Sequence, residues 1–219
     1  MSVNQQQRVG QNFVLDSMKF ARDRTWDVVN QLSSLVRPGM LESEATAECK
    51  LVMTRLGMER IWHPSLVRFG TNTLKTFKER SEGDPRLAAN DIFFIDLGIV
   101  WNGHEGDAGA TFVVGDDAEM IECAVTAQRL FDEVEAYWRK TGTSGIALYD
   151  YAEYRANELG WRLNLDIKGH RVSDFPHAVY KAGGLGDFDA CPDVGLWILE
   201  IQIAHPTRPF GAFYEDLLI

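Results

Sequence analysis

The segment FFIDLGIVWNGHEGDAGATFVVG, residues 93–115, limits what this chain can fold into more than any other stretch. It reads as two apolar-rich strands joined at Asn102-Gly103, a dipeptide that tolerates the positive backbone angles of a tight hairpin turn. With the turn there, Gly98 faces Asp107, and Asp96 falls on the same face one diagonal step away. Diagonal cross-strand positions are roughly 7–8 Å apart. From that distance two carboxylates can close on a pair of cations held roughly 3.5–4 Å apart. Asp96 and Asp107 are flanked by Ile92, Phe93, Phe94, Ile95, Phe112 and Val113. Unpartnered carboxylates are expensive to bury among such residues, and a metal is the simplest way to offset that cost.

With 219 residues and 45% hydrophobic content, the chain is long enough for a sizeable core and short enough for one domain, expected over 1–219. Its formal charge of -10 opposes adhesion to phosphate backbones, so nucleic acid is not an expected partner. The opening MSVNQQQRVGQNF lacks the apolar run of a signal peptide, and Asp96 interrupts the most apolar segment well short of a membrane span. A soluble, cytoplasmic protein without membrane partners is the expectation. Cys49, Cys123 and Cys191 lie outside any paired-cysteine zinc spacing and read as reduced, buried packing residues.

Leu15, Met18, Val28, Val29, Leu32 and Val36 follow helical spacing up to Pro38-Gly39, and a second helix from about Ser43 stops at Gly57. Ile61 to Phe69 reads as extended, and Lys78 to Asn90 as a polar loop. A third helix is expected from about Ala118 to Arg139, and a fourth ends near Gly160. Ala182 to Gly195 is a Gly-rich loop, followed by strands at Leu196–Ala204 and Phe213–Ile219. Helices on antiparallel strands, occurring twice, imply an α+β domain with a curved sheet.

Three further candidate ligands are His170 in KGHRVSDFPH, Glu200 in LWILEIQI and Glu215 in GAFYEDLLI. The two glutamates lie in apolar strands, where a carboxylate needs a partner. Four carboxylates and one imidazole suit divalent manganese, iron, cobalt or zinc rather than a thiolate-rich structural zinc.

From VRPGMLESEA through the IDLG and GD segments to the final YED, the chain resembles the pita-bread metallopeptidases, which include methionine aminopeptidases, proline dipeptidases and aminopeptidase P. The ordered set Asp96, Asp107, His170, Glu200 and Glu215 carries the resemblance, and the short Glu200 to Glu215 interval is more similar to the proline-peptidase branch. The resemblance implies a curved antiparallel sheet flanked by helices in two pseudo-symmetric halves. It implies two divalent metal ions, with Asp96 on one, His170 and Glu200 on the other, and Asp107 and Glu215 bridging. It further implies an aminopeptidase or Xaa-Pro-type dipeptidase in which a metal-bridging hydroxide attacks a peptide, Glu200 shuttles the proton and His177 bonds the substrate carbonyl. A homodimer is a further expectation.

The chain departs from the family pattern at several positions. The family's upstream histidine should fall near Lys75 or Thr76, and His63 reads either as its catalytic substitute or as a structural imidazole. Ala178 and Ile201 stand where the family has Glu and Pro, and Ala108-Gly109-Ala110 alter its DxTRTF. The separate N-terminal domain of proline-specific relatives has no counterpart in this sequence. These changes leave the metal ligands in place and alter positions tied to peptide specificity. The alternatives are therefore a non-hydrolytic metal-binding member that holds a peptide or partner, or a hydrolase of a small amide metabolite.

His177 also reads as a packing histidine. His104 and Glu105 are expected at a solvated hairpin end, with a turn of Glu105 toward the metals as the alternative because it shares parity with Asp107. His205 is expected in a loop, and Gly183-Gly184-Leu185-Gly186 in a loop rather than a nucleotide site. Lys75, Lys78 and Arg80 read as part of a solvated loop.

Overall fold

A computed structural model describes residues 3–176 and 183–219. Its helices are α1 (Val3–Gln6), α2 (Leu15–Leu35), α3 (Glu42–Arg55), α4 (Ala118–Thr141) and α5 (Gly145–Glu158). Its strands are β1 (Arg60–Ile61), β2 (Leu66–Phe69), β3 (Asp91–Trp101), β4 (His104–Val114), β5 (Arg162–Leu163), β6 (His170–Arg171), β7 (Trp197–Ala204) and β8 (Gly211–Leu217).

All eight strands form one antiparallel sheet in the order β1-β3-β4-β8-β7-β5, with β2 sharing the outer edge of β3 and β6 that of β7. Each half repeats one plan: two helices, two short edge strands, then a long hairpin. The β3–β4 hairpin turns at Asn102 (φ 49°) and Gly103 (φ 67°), and Gly98 pairs with Asp107 as the Asn-Gly placement requires.

Strand alternation divides the two faces. Phe93, Ile95, Leu97, Ile99 and Trp101 of β3 pack with Val28, Val29 and Leu32 of α2. Trp197, Leu199, Ile201 and Ile203 of β7 pack with Leu130, Phe131 and Val134 of α4. The helices therefore cover one face, and Phe94, Asp96 and Gly98 of β3 with Glu200 and Gln202 of β7 point to the other, where the carboxylates lie.

The last hairpin begins earlier than its apolar pattern suggests, since Gly211 already pairs with Ala204. His205 organises that turn: its Nδ1 accepts hydrogen bonds from the backbone N–H groups of Thr207 at 3.1 Å and Arg208 at 2.9 Å. Extended residues 61–69 split into two strands at Trp62 to Ser65, where Pro64 lacks the N–H a continuous ladder needs. Cys49 and Cys123 are buried, but Cys191 is exposed, because it lies on the surface loop before β7 rather than on a packed helix face. Among the described residues no helix is long and apolar enough to cross a membrane.

Candidate metal centre

A single cross-strand row carries three of the carboxylates. Asp96 on β3 pairs with Gly109 on β4, Gly109 with Glu215 on β8, and Glu215 with Glu200 on β7. Asp107 joins them from the next same-face position of β4, opposite Gly98. Gly109 leaves the middle of the row open: a β-carbon there would lie 2.9 Å from Glu215 Oε1 and 2.8 Å from Phe213 Cε1.

Two imidazoles approach Asp107 from different directions. His63 Nε2 lies 3.1 Å from Asp107 Oδ1 and 3.7 Å from Asp96 Oδ1, with Nδ1 3.0 Å from the Pro64 carbonyl oxygen. His170 Nε2 lies 3.0 Å from Asp107 Oδ2, with Nδ1 3.2 Å from the Arg171 carbonyl oxygen. The indole of Trp62 meets both rings edge-on, at centroid distances of 4.5 and 5.7 Å, and donates its N–H to the Gly106 carbonyl at 3.0 Å.

Glu200 is held at backbone and side chain. The Tyr149 hydroxyl, reaching in from α5, donates to the Glu200 carbonyl at 2.9 Å and accepts from its N–H at 3.2 Å. This fills the gap in the β7 ladder between β5 and β6. Glu200 Oε2 accepts the Gly169 N–H at 2.8 Å.

Burial, above all, holds the Asp96, Glu200 and Glu215 carboxyls above the ordinary carboxylate range, and repulsion among the neighbouring acids adds to it. Burial also opposes ionisation of Asp107, but the flanking His63 and His170 outweigh it and bring that carboxyl down to about 2. Burial likewise lowers the two imidazoles, yet Asp107 prevails and raises His63 to about 10 and His170 to about 9. Each ring has one nitrogen against a carbonyl and the other against a carboxylate, an arrangement satisfied by imidazolium. Cations held among these groups would neutralise the same acids.

The donor set fits divalent cations. Ligand atoms of His63, Asp96 and Asp107 lie within 4.8 Å of one another, as do those of Asp107, His170 and Glu215, so Asp107 belongs to both groups. Glu215 Oε1 is buried without a hydrogen bond, and Asp107 Oδ2 is met by His170 Nε2 at 3.0 Å. Oxygen donors with an imidazole suit manganese, iron, cobalt or zinc.

A cavity of about 480 Å3 opens over this floor, walled by Trp62, Pro64, Leu66, Phe77 and Ile167, with Lys78 and Lys168 among its polar lining. The structure therefore brings together Asp96, Asp107, His170, Glu200 and Glu215, and places His63 with them. His177 lies outside the described residues. Lys75 and Thr76 turn to Glu82 and Glu79 instead of lining the cavity. Trp62 and Tyr149 carry no signal in the sequence, whereas Gly98 and Gly109, legible there as a register partner and as a departure from DxTRTF, also make room for the site, since glycine inside a strand is itself a signal of close approach.

The hairpin end differs from the solvated one expected. His104 and Glu105 are both buried, because the N-terminal segment and residues 173–174 pack over them. His104 Nε2 accepts the Val14 N–H at 2.9 Å, and Glu105 Oε2 accepts the Ser173 N–H at 3.0 Å.

A family model described as metallopeptidase family M24 matches residues 16–209. The chain is 27% identical over 163 residues to the Xaa-Pro dipeptidase of Pyrococcus furiosus, covering 68% of this chain and 45% of that protein. It spans about half the length of the curated relatives it matches. Its fold is similar to an X-Pro aminopeptidase from Thermotoga maritima, with a TM-score of 0.75 and 19% identity over 97% of this chain and 60% of that one. It is also similar to a methionine aminopeptidase from Thermotoga maritima, with a TM-score of 0.72 and 14% identity over 95% and 92% of the two chains.

Proposed function

The chain belongs to metallopeptidase family M24, and on that premise we propose that it is a two-metal peptidase of the Xaa-Pro dipeptidase or aminopeptidase kind. The observation that carries this reading is the position of Asp107, whose two oxygens face His63 on one side and His170 on the other. Asp96 would help to hold one ion, His170 and Glu200 the other, with Asp107 and Glu215 within reach of both. Such ions would supply Lewis acidity and lower the ionisation of a bound water toward neutral pH.

The side chains do the rest. Glu200, fixed through Oε2 by Gly169, keeps Oε1 to take a proton from water and pass it to the leaving amine. His63, anchored through Nδ1 on Pro64 and with Nε2 3.1 Å from Asp107 Oδ1 in the metal-free chain, would turn Nε2 to the substrate carbonyl when an ion takes the place beside Asp107. Trp62, Leu66, Phe77 and Ile167 seat the apolar part of the substrate and exclude water. Residues 1–219 are proposed to act as one catalytic unit, in the cytoplasm and as a homodimer, with manganese the first ion to test.

The test is metal content followed by hydrolysis of a dipeptide panel that includes X-Pro and N-terminal Met substrates, with manganese, cobalt, iron or zinc supplied. Asp107→Ala and Glu215→Ala should each abolish turnover of whichever substrate is cleaved. Hydrolysis that persists in both variants overturns the reading.

A further inference from the structure

The N-terminal arm, residues 6–14, is tied to the chain that immediately follows His170. Arg171 is almost fully buried, and its guanidinium donates to the carbonyl of Gln6 through Nε at 3.0 Å and to that of Arg8 at 2.7 Å. The same group donates to the carbonyls of Val172 and Leu196, the latter at 3.2 Å. It therefore joins the arm to the end of β6 and to the segment entering β7. Asp174 holds the next part of the arm, accepting the N–H of Gly10 at 2.8 Å and that of Asn12 at 3.2 Å. Gly10 is needed for this approach, since a β-carbon there would lie 2.0 Å from Asp174 Oδ2.

β6 has only two residues, His170 and Arg171, paired with Ile198 and Trp197, and the chain on either side is held by single backbone bonds, Leu185 N–H to Gly169 and Val172 N–H to Leu196, at 3.0 Å each. Yet the His170 ring depends on that backbone: its Nδ1 contacts the carbonyl oxygen of Arg171 at 3.2 Å, which turns Nε2 toward Asp107. A ligating histidine is oriented by the partner of its other nitrogen, and loss of such a partner weakens metal binding by about 10–100-fold.

We propose that the N-terminal arm is a brace for the His170 half of the metal centre, with Arg171 and Asp174 as its positioning residues. The Arg171 guanidinium fixes the position of its own carbonyl, and that carbonyl fixes the histidine. The inference rests on the two-metal reading above.

Cobalt(II) titration, followed by visible absorption and by calorimetry, tests it on the full chain. Wild type should bind two equivalents. Arg171→Gln and Asp174→Asn should keep one tight equivalent and bind the other about 10–100-fold more weakly, with far-UV circular dichroism unchanged. Arg171→Lys, which can still donate to some of the carbonyls, should recover part of the loss. If Arg171→Gln does not fold, Asp174→Asn and Arg171→Lys carry the test. Two equivalents of unchanged affinity in the folded variants overturn the brace, even if their melting temperatures fall. A wild type that binds fewer than two equivalents overturns the two-metal reading instead.

Discussion

His63 rests on Gly98: a β-carbon at position 98 would lie 1.9 Å from His63 Cδ2 and 2.2 Å from its Nε2. The glycine of the IDLG segment is thus the opening through which an imidazole from the edge-strand bend reaches Asp107. Gly98→Ala should evict the ring and mimic His63→Ala, each lowering kcat/KM on the order of 10²-fold or more. The double variant should be little worse than either single one. Steady-state kinetics of the three variants check this, and an unimpaired Gly98→Ala enzyme would show that His63 has no part in turnover.

The metal-free chain should lose stability as pH rises. His63 and His170 have folded values of about 10 and about 9 against an ordinary 6.5, so their contribution is complete below pH 6.5 and lost as pH climbs through those values. The raised carboxyls of Asp96, Glu200 and Glu215 act in the same direction, since deprotonating them costs more in the folded state. Asp107, lowered to about 2, contributes stability that is lost only in strong acid. Thermal melts in chelator should therefore fall from pH 6.5 toward pH 9, and saturating metal should flatten the slope. Metal binding should also release protons, read by calorimetry in buffers of different ionisation enthalpy. A flat metal-free profile contradicts this account.

Tyr149→Phe removes one hydroxyl that serves both the N–H and the carbonyl of Glu200. Two buried backbone groups lose their partner, at a cost of about 1–3 kcal/mol each. Urea denaturation should show a lower midpoint with an unchanged slope. An unaltered midpoint would mean that the β7 gap is closed in some other way.

Much of this arrangement was legible in the sequence, for a local reason. Asn102-Gly103 pins the hairpin register, and a period of two then places Asp96 and Asp107 on one face without further information. Glu200 and Glu215 were readable as buried carboxylates in apolar strands, although their direct pairing depends on a turn organised by His205. The place of His63 was open, because it depends on the bend at Pro64 and the space above Gly98, which come from different parts of the chain. Burial of His104 and Glu105 was hidden for the same reason, since Val14 and Ser173 that cover them are remote in sequence.

Cysteine reactivity separates the three thiols. Burial pushes Cys49 and Cys123 up to about 12, whereas Cys191 is exposed. A chromogenic disulfide reagent at pH 8 should label one thiol in the native protein and all three in denaturant. Rapid labelling of more than one native thiol would show that the helix α3 or α4 interface opens readily.

The two-metal reading places Asp107 between two cations, and an anomalous difference map from crystals grown with manganese tests that most directly. It predicts two peaks, one beside Asp107 Oδ1 toward Asp96 and one beside Oδ2 toward His170. A map with no peak at Asp107, from crystals of the manganese-supplied protein, contradicts it.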